Sequence, residues 1–366
     1  MKNIAQAHIE KLFAIIRSSL WGKPYNEGME ADEFKRIMAL AEQQTVTALV
    51  FDAIKDIPVD DKADVEVLTY HAMTEQIMQQ NRQINKELKD FASRCDENGI
   101  DYMVVKGQMV GCLYPNPLLR LPGDIDFLVK KEYDAIKERI EGALEISLPK
   151  RMLEKQVPFD RNDAKYELHT SLRTWLYAKH QKQWDELIER EWQNKYYVEI
   201  DGERVRTLSP TTNAAYVFIH LFFHFIREGV SLRQMCDWAM VLHHYRDEID
   251  RTKLMQILQE LGMLKAFKTF GAIVIDELGL PEEEFPFSIG ADERKWKDTI
   301  LNDIFTGGNF GKLNHKAHSS WKYKLETMKV ATRNSLKYCS LAPIEAGLII
   351  PRLLLGNLKI IVKKVR

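Results

Sequence analysis

The sequence changes texture near Asn98-Gly99 and changes back after Ser209-Pro210, and any fold must accommodate that alternation. From Ile4 to about Ser93 apolar residues recur at helical spacing. The stretch "VEVLTYHAMTEQIMQQNRQINKELKDFASRC" predicts one long helix, ending near Glu97-Asn98-Gly99 where the glycine supplies a stop. Short runs then alternate. "DYMVVK" (101–106) reads as a buried strand, "GQMVGCLY" as a short helix, "PNPLLRLPG" as a Pro-rich turn, "DIDFLV" as a second strand and "KKEYDAIKERIEGAL" as a helix. "KQVPFDR" and "KYELHT" are extended candidates, and "KYYVEIDGERVRTLSP" is a hairpin turning at Asp201-Gly202. Beyond Ser209 long amphipathic runs return. One begins at a Ser/Thr-rich start and stops at Gly229, and the next starts at Ser231. The expected class is α+β: an N-terminal helical region (1–98), a core with a small mixed sheet (99–208) and a C-terminal helical domain (209–366).

Composition excludes several function classes. The 366 residues hold 52 Lys+Arg against 53 Asp+Glu, a net charge of -1, so no global field draws the chain to long nucleic acid. Cys95, Cys112, Cys236 and Cys339 are scattered without a CxxC pair, which argues against a disulfide framework or structural zinc and fits a reducing cytoplasm. The N-terminal run is broken by Glu10, Lys11 and Arg17 and reads as an amphipathic helix rather than a signal peptide. The C-terminal run "GLIIPRLLLGNLKIIVKKVR" is apolar, but Pro351, Arg352, Gly356 and Asn357 are expected to interrupt it before it spans a membrane. Its basic end leaves peripheral contact with an anionic membrane as the lesser reading, beside packing on the body.

The chemistry concentrates in the middle region. Alternate side chains of a strand share a face, so Asp124 and Asp126 point one way while Ile125 and Phe127 point the other. By the same rule Glu167 and His169 share a face of "KYELHT". If the two strands are neighbours, three carboxylates converge, which is costly in an apolar setting unless a divalent cation offsets the repulsion. Mg²⁺ takes hard oxygen ligands and keeps positions open to phosphate, and two such ions can clamp an in-line displacement. Phosphoryl or nucleotidyl transfer is the reaction class this favours. In "VVKGQMV", Gly107 falls where a strand gives way to a helix, so backbone N–H groups and a helix start could face phosphate oxygens.

A strand, a Gly at a helix start, a strand bearing Asp-x-Asp and a later strand with a third acidic residue together resemble the DNA polymerase β-like nucleotidyltransferase superfamily. "VVKGQ…LYPNPLLRLPGDIDFLV…YELH" looks closer still to the bacterial uncharacterised nucleotidyltransferase family proteins. The resemblance covers about Asp101 to His169. It implies Asp124 and Asp126 as ligands of two Mg²⁺ ions, Glu167 as the third carboxylate, and Gly107-Gln108 as the phosphate-binding turn. A nucleoside triphosphate would be the substrate, with an unidentified small molecule, sugar or protein as acceptor. Glu167 or His169 would help deprotonate that acceptor, and Lys106 and Arg120 are candidate phosphate partners. The superfamily usually carries Gly-Ser at the turn, so here an amide replaces a hydroxyl or phosphate contact falls to backbone alone. A nucleotide-binding or partner-binding protein with lost catalysis is the competing reading. A third, resting only on the tail, is a membrane-peripheral enzyme acting on a lipid-linked or envelope sugar.

Other features carry less. Arg233 and Asp237, four apart on one helix face, read as a simple ion pair, although in the resembling family such a helix follows the core and could line the acceptor or nucleotide cleft. His220 and His224 have metal-compatible spacing but no supporting Glu-x-x-His pattern. "GGNFGK" (307–312) lacks Walker spacing and reads as a connection, and "YVFIHLFFHF" reads as a core helix.

Overall fold

The computed structural model describes residues 2–60, 63–152, 156–172, 174–308 and 320–364, with side chains placed for 6–60, 63–152, 156–172, 174–308 and 326–353. It divides into two compact units: one of residues 1–42, 46–173 and 185–213, the other of 43–45, 174–184 and 214–366.

The first unit begins with α1 (Lys2–Trp21), α2 (Ala31–Gln43) and α3 (Thr47–Ile54), followed by α4 (Asp64–Glu97). The last is a single helix of 34 residues, and Gly99 at φ +60° follows its cap at Asn98. Then come β1 (Tyr102–Val105), the single-turn α5 (Gln108–Gly111), β2 (Ile125–Val129), α6 (Tyr133–Leu144), β3 (Gln156–Arg161) and β4 (Ala164–His169). The long α7 (Ala178–Glu191) leads to a hairpin of β5 (Tyr196–Ile200) and β6 (Glu203–Thr207). Asp201 and Gly202 form its turn, both at positive φ, as a two-residue hairpin loop demands.

The four-stranded sheet is mixed, in the order β1-β2-β4-β3. β2 runs antiparallel to β1 and parallel to β4, and β3 closes the far edge antiparallel to β4. β2 is therefore an interior strand, and all five of its residues are buried. Ile125, Phe127 and Val129 face a core shared with Tyr166 and Leu168 of β4 and with Leu88, Phe91 and Cys95 of α4. The Phe91 ring sits 4.7 Å from Phe127 and 5.8 Å from Tyr166, centroid to centroid. That apolar face fixes the strand's rotation, so Asp126 must point to the opposite face.

The second unit is helical. It includes most of α8 (Pro210–Arg227), then α9 (Leu232–His244), α10 (Arg251–Glu260), α11 (Leu264–Asp276), α12 (Ala291–Arg294), α13 (Lys297–Gly307), α14 (Ser320–Tyr338) and α15 (Pro343–Lys364). The "YVFIHLFFHF" run is core, with Phe218, Phe222 and Phe225 fully buried. Ser231 caps α9 as expected, its N–H donating to Gln234 Oε1 at 3.0 Å. One expectation needs correction. The C-terminal run is not interrupted at Pro351, because α15 continues through it; a proline costs a helix one hydrogen bond, and here the helix tolerates the loss. No helix among the described residues is long and apolar enough to cross a membrane. Residues 309–312 of "GGNFGK" and the last two of the C-terminal run lie outside the described residues.

Candidate active site at the β2–β4 face

Parallel pairing sets Asp126 of β2 directly beside Glu167 of β4, and Leu128 beside His169. Because side chains alternate, Asp126, Glu167 and His169 emerge on the face opposite the aromatic core. One ligand atom from each lies within 4.8 Å of the others, and no other group of His, Cys, Asp or Glu among the described residues is placed to hold a metal ion. Asp126 and His169 are each only 7 % exposed, while Glu167 is half-buried.

Asp126 Oδ1 is the hub. Lys106 Nζ lies 2.9 Å from it and His169 Nε2 3.0 Å, while His169 Nε2 is 3.8 Å from Glu167 Oε2. Burial alone would raise the Asp126 carboxyl, but the Lys106 ammonium and the His169 hydrogen bond outweigh it and hold the group down at about 2. Glu167 moves the other way. Burial first, then repulsion from Asp126, push it up to about 7, the nearby Lys106 only partly offsetting them; Asp124 adds a smaller upward push. The two neighbouring carboxyls are thus pushed in opposite directions, a pattern that clusters at functional sites.

Asp124 is placed differently from its expected position within the strand. It is exposed and lies one residue ahead of β2, in the loop leading into the strand, and it is not in the three-residue grouping. The alternation rule needs extended pairing, and the β1–β2 ladder stops at the partners Val105 and Asp126.

The turn after β1 has an unusual backbone. Lys106 has φ +57° and Gly107 φ +47° with ψ -122°, the latter a conformation that L side chains resist. A Cβ at Gly107 would sit 3.1 Å from the Asp124 carbonyl oxygen, so the turn lies against the backbone that delivers Asp124. Among the described residues neither the Gly107 nor the Gln108 N–H has an acceptor. The helix that follows has a single turn, so what it offers an anion is these N–H groups rather than a macrodipole.

Gln108 does not point toward the site. Its Nε2 donates to Asn85 Oδ1 at 2.6 Å and Asn81 Oδ1 at 3.2 Å, both on α4. Arg120 is buried, donating to the Leu121 carbonyl at 3.4 Å, with its Cδ against Gly111. Arg233 and Asp237 lie one turn apart on α9 in the second unit and are not part of the β2–β4 grouping. His220 and His224 meet edge to face at 4.4 Å between ring centroids, without a third ligand to make a metal site among the described residues. All four cysteines are free thiols.

An interior acid-bearing strand paired in parallel with a second one, beside a glycine turn with open N–H groups, is an arrangement suited to phosphoryl-group chemistry. The chain belongs to the family described as "Uncharacterised nucleotidyltransferase", which it matches over residues 30–274. No curated protein matches it. Among solved structures it is similar to an antigenic nucleotidyltransferase-like protein from Paracoccidioides brasiliensis, with 13% identity over 51% of this chain and 92% of that one. The TM-score is 0.33, too slight a likeness to carry a functional argument.

Proposed function

We propose that the chain is a Mg²⁺-dependent nucleotidyltransferase that moves a nucleoside monophosphate from a nucleoside triphosphate to an acceptor hydroxyl or amine and releases pyrophosphate. The observation that carries this reading is the pairing of Asp126 with Glu167 across neighbouring strands, beside the open N–H groups of the Gly107 turn. The two carboxylates offer the hard oxygen donors that Mg²⁺ takes, within 4.8 Å of each other, while burial and the Asp126 charge push Glu167 up, a cost that a divalent cation would offset; His169 is a hydrogen-bond partner of Asp126 rather than a donor of that kind. Asp126 and Glu167, with Asp124 from the preceding loop, would hold two such ions. When bound they neutralise phosphate charge and align the attacking and leaving oxygens.

The residues of this chain supply the rest. The N–H groups of Gly107 and Gln108 receive phosphate oxygens, and Lys106, at the start of the same turn, is the mobile cation that can exchange Asp126 for a phosphate. Arg120 adds buried positive charge behind that turn. As the acceptor heteroatom bonds to the α-phosphorus, the bond to the bridging oxygen breaks and its electron pair leaves with pyrophosphate. The acceptor proton passes to Glu167 or to His169 on the same strand face. On α9, Arg233 and Asp237 are proposed, more weakly, as substrate residues.

Pyrophosphate release from each nucleoside triphosphate, assayed with Mg²⁺ over a panel of acceptors, tests the proposal. Asp126→Asn should cut turnover by about a thousandfold or more while the protein still melts cooperatively. Unchanged turnover in that variant would overturn the mechanism. One observation favours a second reading, of a nucleotide-binding protein without turnover: Asp126 is already compensated by Lys106 and His169, and Gln108 offers no hydroxyl. Calorimetric binding of nucleotide with no pyrophosphate release from any acceptor would select it.

A further inference from the structure

Two asparagines occupy the buried stripe of α4, four residues apart. Asn81 is 1 % exposed and Asn85 5 %. A buried carboxamide destabilises a helix interface unless its donors and acceptor are met, and here they are. Asn81 Nδ2 donates to the carbonyls of Leu118 and Arg120, each at 2.8 Å, and more weakly to Ile77 at 3.2 Å. Its Oδ1, like that of Asn85, accepts from Gln108 Nε2, and Asn85 Nδ2 donates to Asp201 Oδ2 at 3.0 Å. Three segments far apart in sequence thus meet on one helix face: the turn after β1, the loop that leads to Asp124, and the tip of the β5–β6 hairpin.

We propose that Asn81 and Asn85, acting through Gln108, are positioning residues that hold the Gly107 turn in register with the Asp124 loop. The two elements touch tightly, since a Cβ at Gly107 would stand 3.1 Å from the Asp124 carbonyl oxygen, and Asn81 ties both to the same point on α4. This also accounts for glutamine after Gly107. A serine hydroxyl there could reach a phosphate but not α4, whereas the longer amide reaches both asparagines and leaves the backbone N–H groups to the ligand. Fixing those donors before substrate arrives is a preorganisation effect, which acts on binding and alignment rather than on proton transfer. The inference rests on the nucleotidyl-transfer reading for its consequence, though not for the clamp itself.

The test uses the full chain in three variants. Gln108→Leu removes the donor shared by the asparagines. Asn81→Asp keeps an acceptor for Gln108 but loses the donor to Leu118 and Arg120. Leu88→Ala, in the apolar part of the same helix, supplies a comparable loss of stability without touching the clamp. Hydrogen exchange of the ligand-free protein should rise about tenfold in residues 106–111 and 118–124 together in both polar variants, and in neither segment of Leu88→Ala. The KM for nucleoside triphosphate should rise by about tenfold or more in the polar variants, with kcat changed less, and stay unchanged in Leu88→Ala. Exchange that stays unchanged in both segments, or that rises in one segment alone for Gln108→Leu and Asn81→Asp alike, overturns the proposal, as does Leu88→Ala reproducing the KM rise. A coupled rise of exchange in the two polar variants, together with a wild-type protein that binds no nucleotide, would uphold the clamp and overturn the nucleotidyl-transfer reading.

Discussion

Glu167 carries the sharpest consequence of the site's electrostatics. Its folded pKa of about 7 lies above the ordinary 4.5, so between those values the folded protein binds more protons than the unfolded one. The stabilisation is complete below about pH 4.5 and is lost as pH rises toward about 7. The metal-free protein should therefore show a melting temperature that falls relative to Glu167→Gln across that interval, since the amide cannot titrate. Parallel melting curves for the two proteins from pH 4.5 to 8 would show that the carboxyl is not raised. Asp126 behaves oppositely, since its depressed pKa confines its loss of stabilisation to pH below about 4, so the two titrations separate cleanly. Adding Mg²⁺ at pH 8 should recover the melting temperature of wild type and leave Glu167→Gln nearly unmoved, because a bound cation supplies the charge that the proton supplied in acid.

At the scale of elements, the strands were readable because each has one strongly apolar face. Ile125, Phe127 and Val129 announce β2, Tyr166 and Leu168 announce β4, and once the two strands pair in parallel the odd-even rule puts Asp126, Glu167 and His169 together. What periodicity could not supply was where pairing stops, and that is why Asp124 falls in a loop. The long helix was readable in extent but not in face. Leu68, an apolar residue of that run, is 71% exposed, while Asn81 and Asn85 are buried, because hydrogen bonds to segments distant in sequence decide those sites. Two asparagines spaced i, i+4 in phase with Ile77, Leu88 and Phe91 were the available signal. Packing makes Phe91 the contact through which the helix holds the sheet, meeting Tyr102, Phe127 and Tyr166 edge-on or tilted. Phe91→Ala should cost about 3–5 kcal/mol in denaturant unfolding. A loss under about 1 kcal/mol would mean that α4 does not depend on that ring.

The chain as a whole is threaded so that neither compact unit is one continuous stretch, and this bears on how it can be cut. Residues 43–45 and 174–184 are grouped with the helices that follow residue 213, and the reasons are local and strong. Thr45 Oγ1 and Ser231 Oγ are 2.6 Å apart. Trp184, fully buried, stacks near Tyr216 with ring centroids 6.0 Å apart. Glu345, 1 % exposed near the start of α15, accepts from the N–H groups of Leu176 and Tyr177 at 2.8 and 3.2 Å, and lies 2.8 Å from His180 Nδ1. A carboxylate holding three partners at that depth is hard to replace, because its removal strands two part-buried N–H groups and the buried His180 imidazole together. Glu345→Ala should cost about 3–5 kcal/mol, while Glu345→Gln, which keeps one acceptor oxygen, should cost less. Expressed alone, residues 1–213 would lack Tyr216, Phe223 and Glu345, which hold the 174–184 segment in the full chain. Trp175 and Trp184, both buried in the full chain, should then emit at the red-shifted wavelength of exposed indole, and the fragment should lose its cooperative melt. A fragment that melts cooperatively with native tryptophan emission would show that residues 174–184 fold with the sheet-bearing unit instead, and that unit could then be isolated by a single cut.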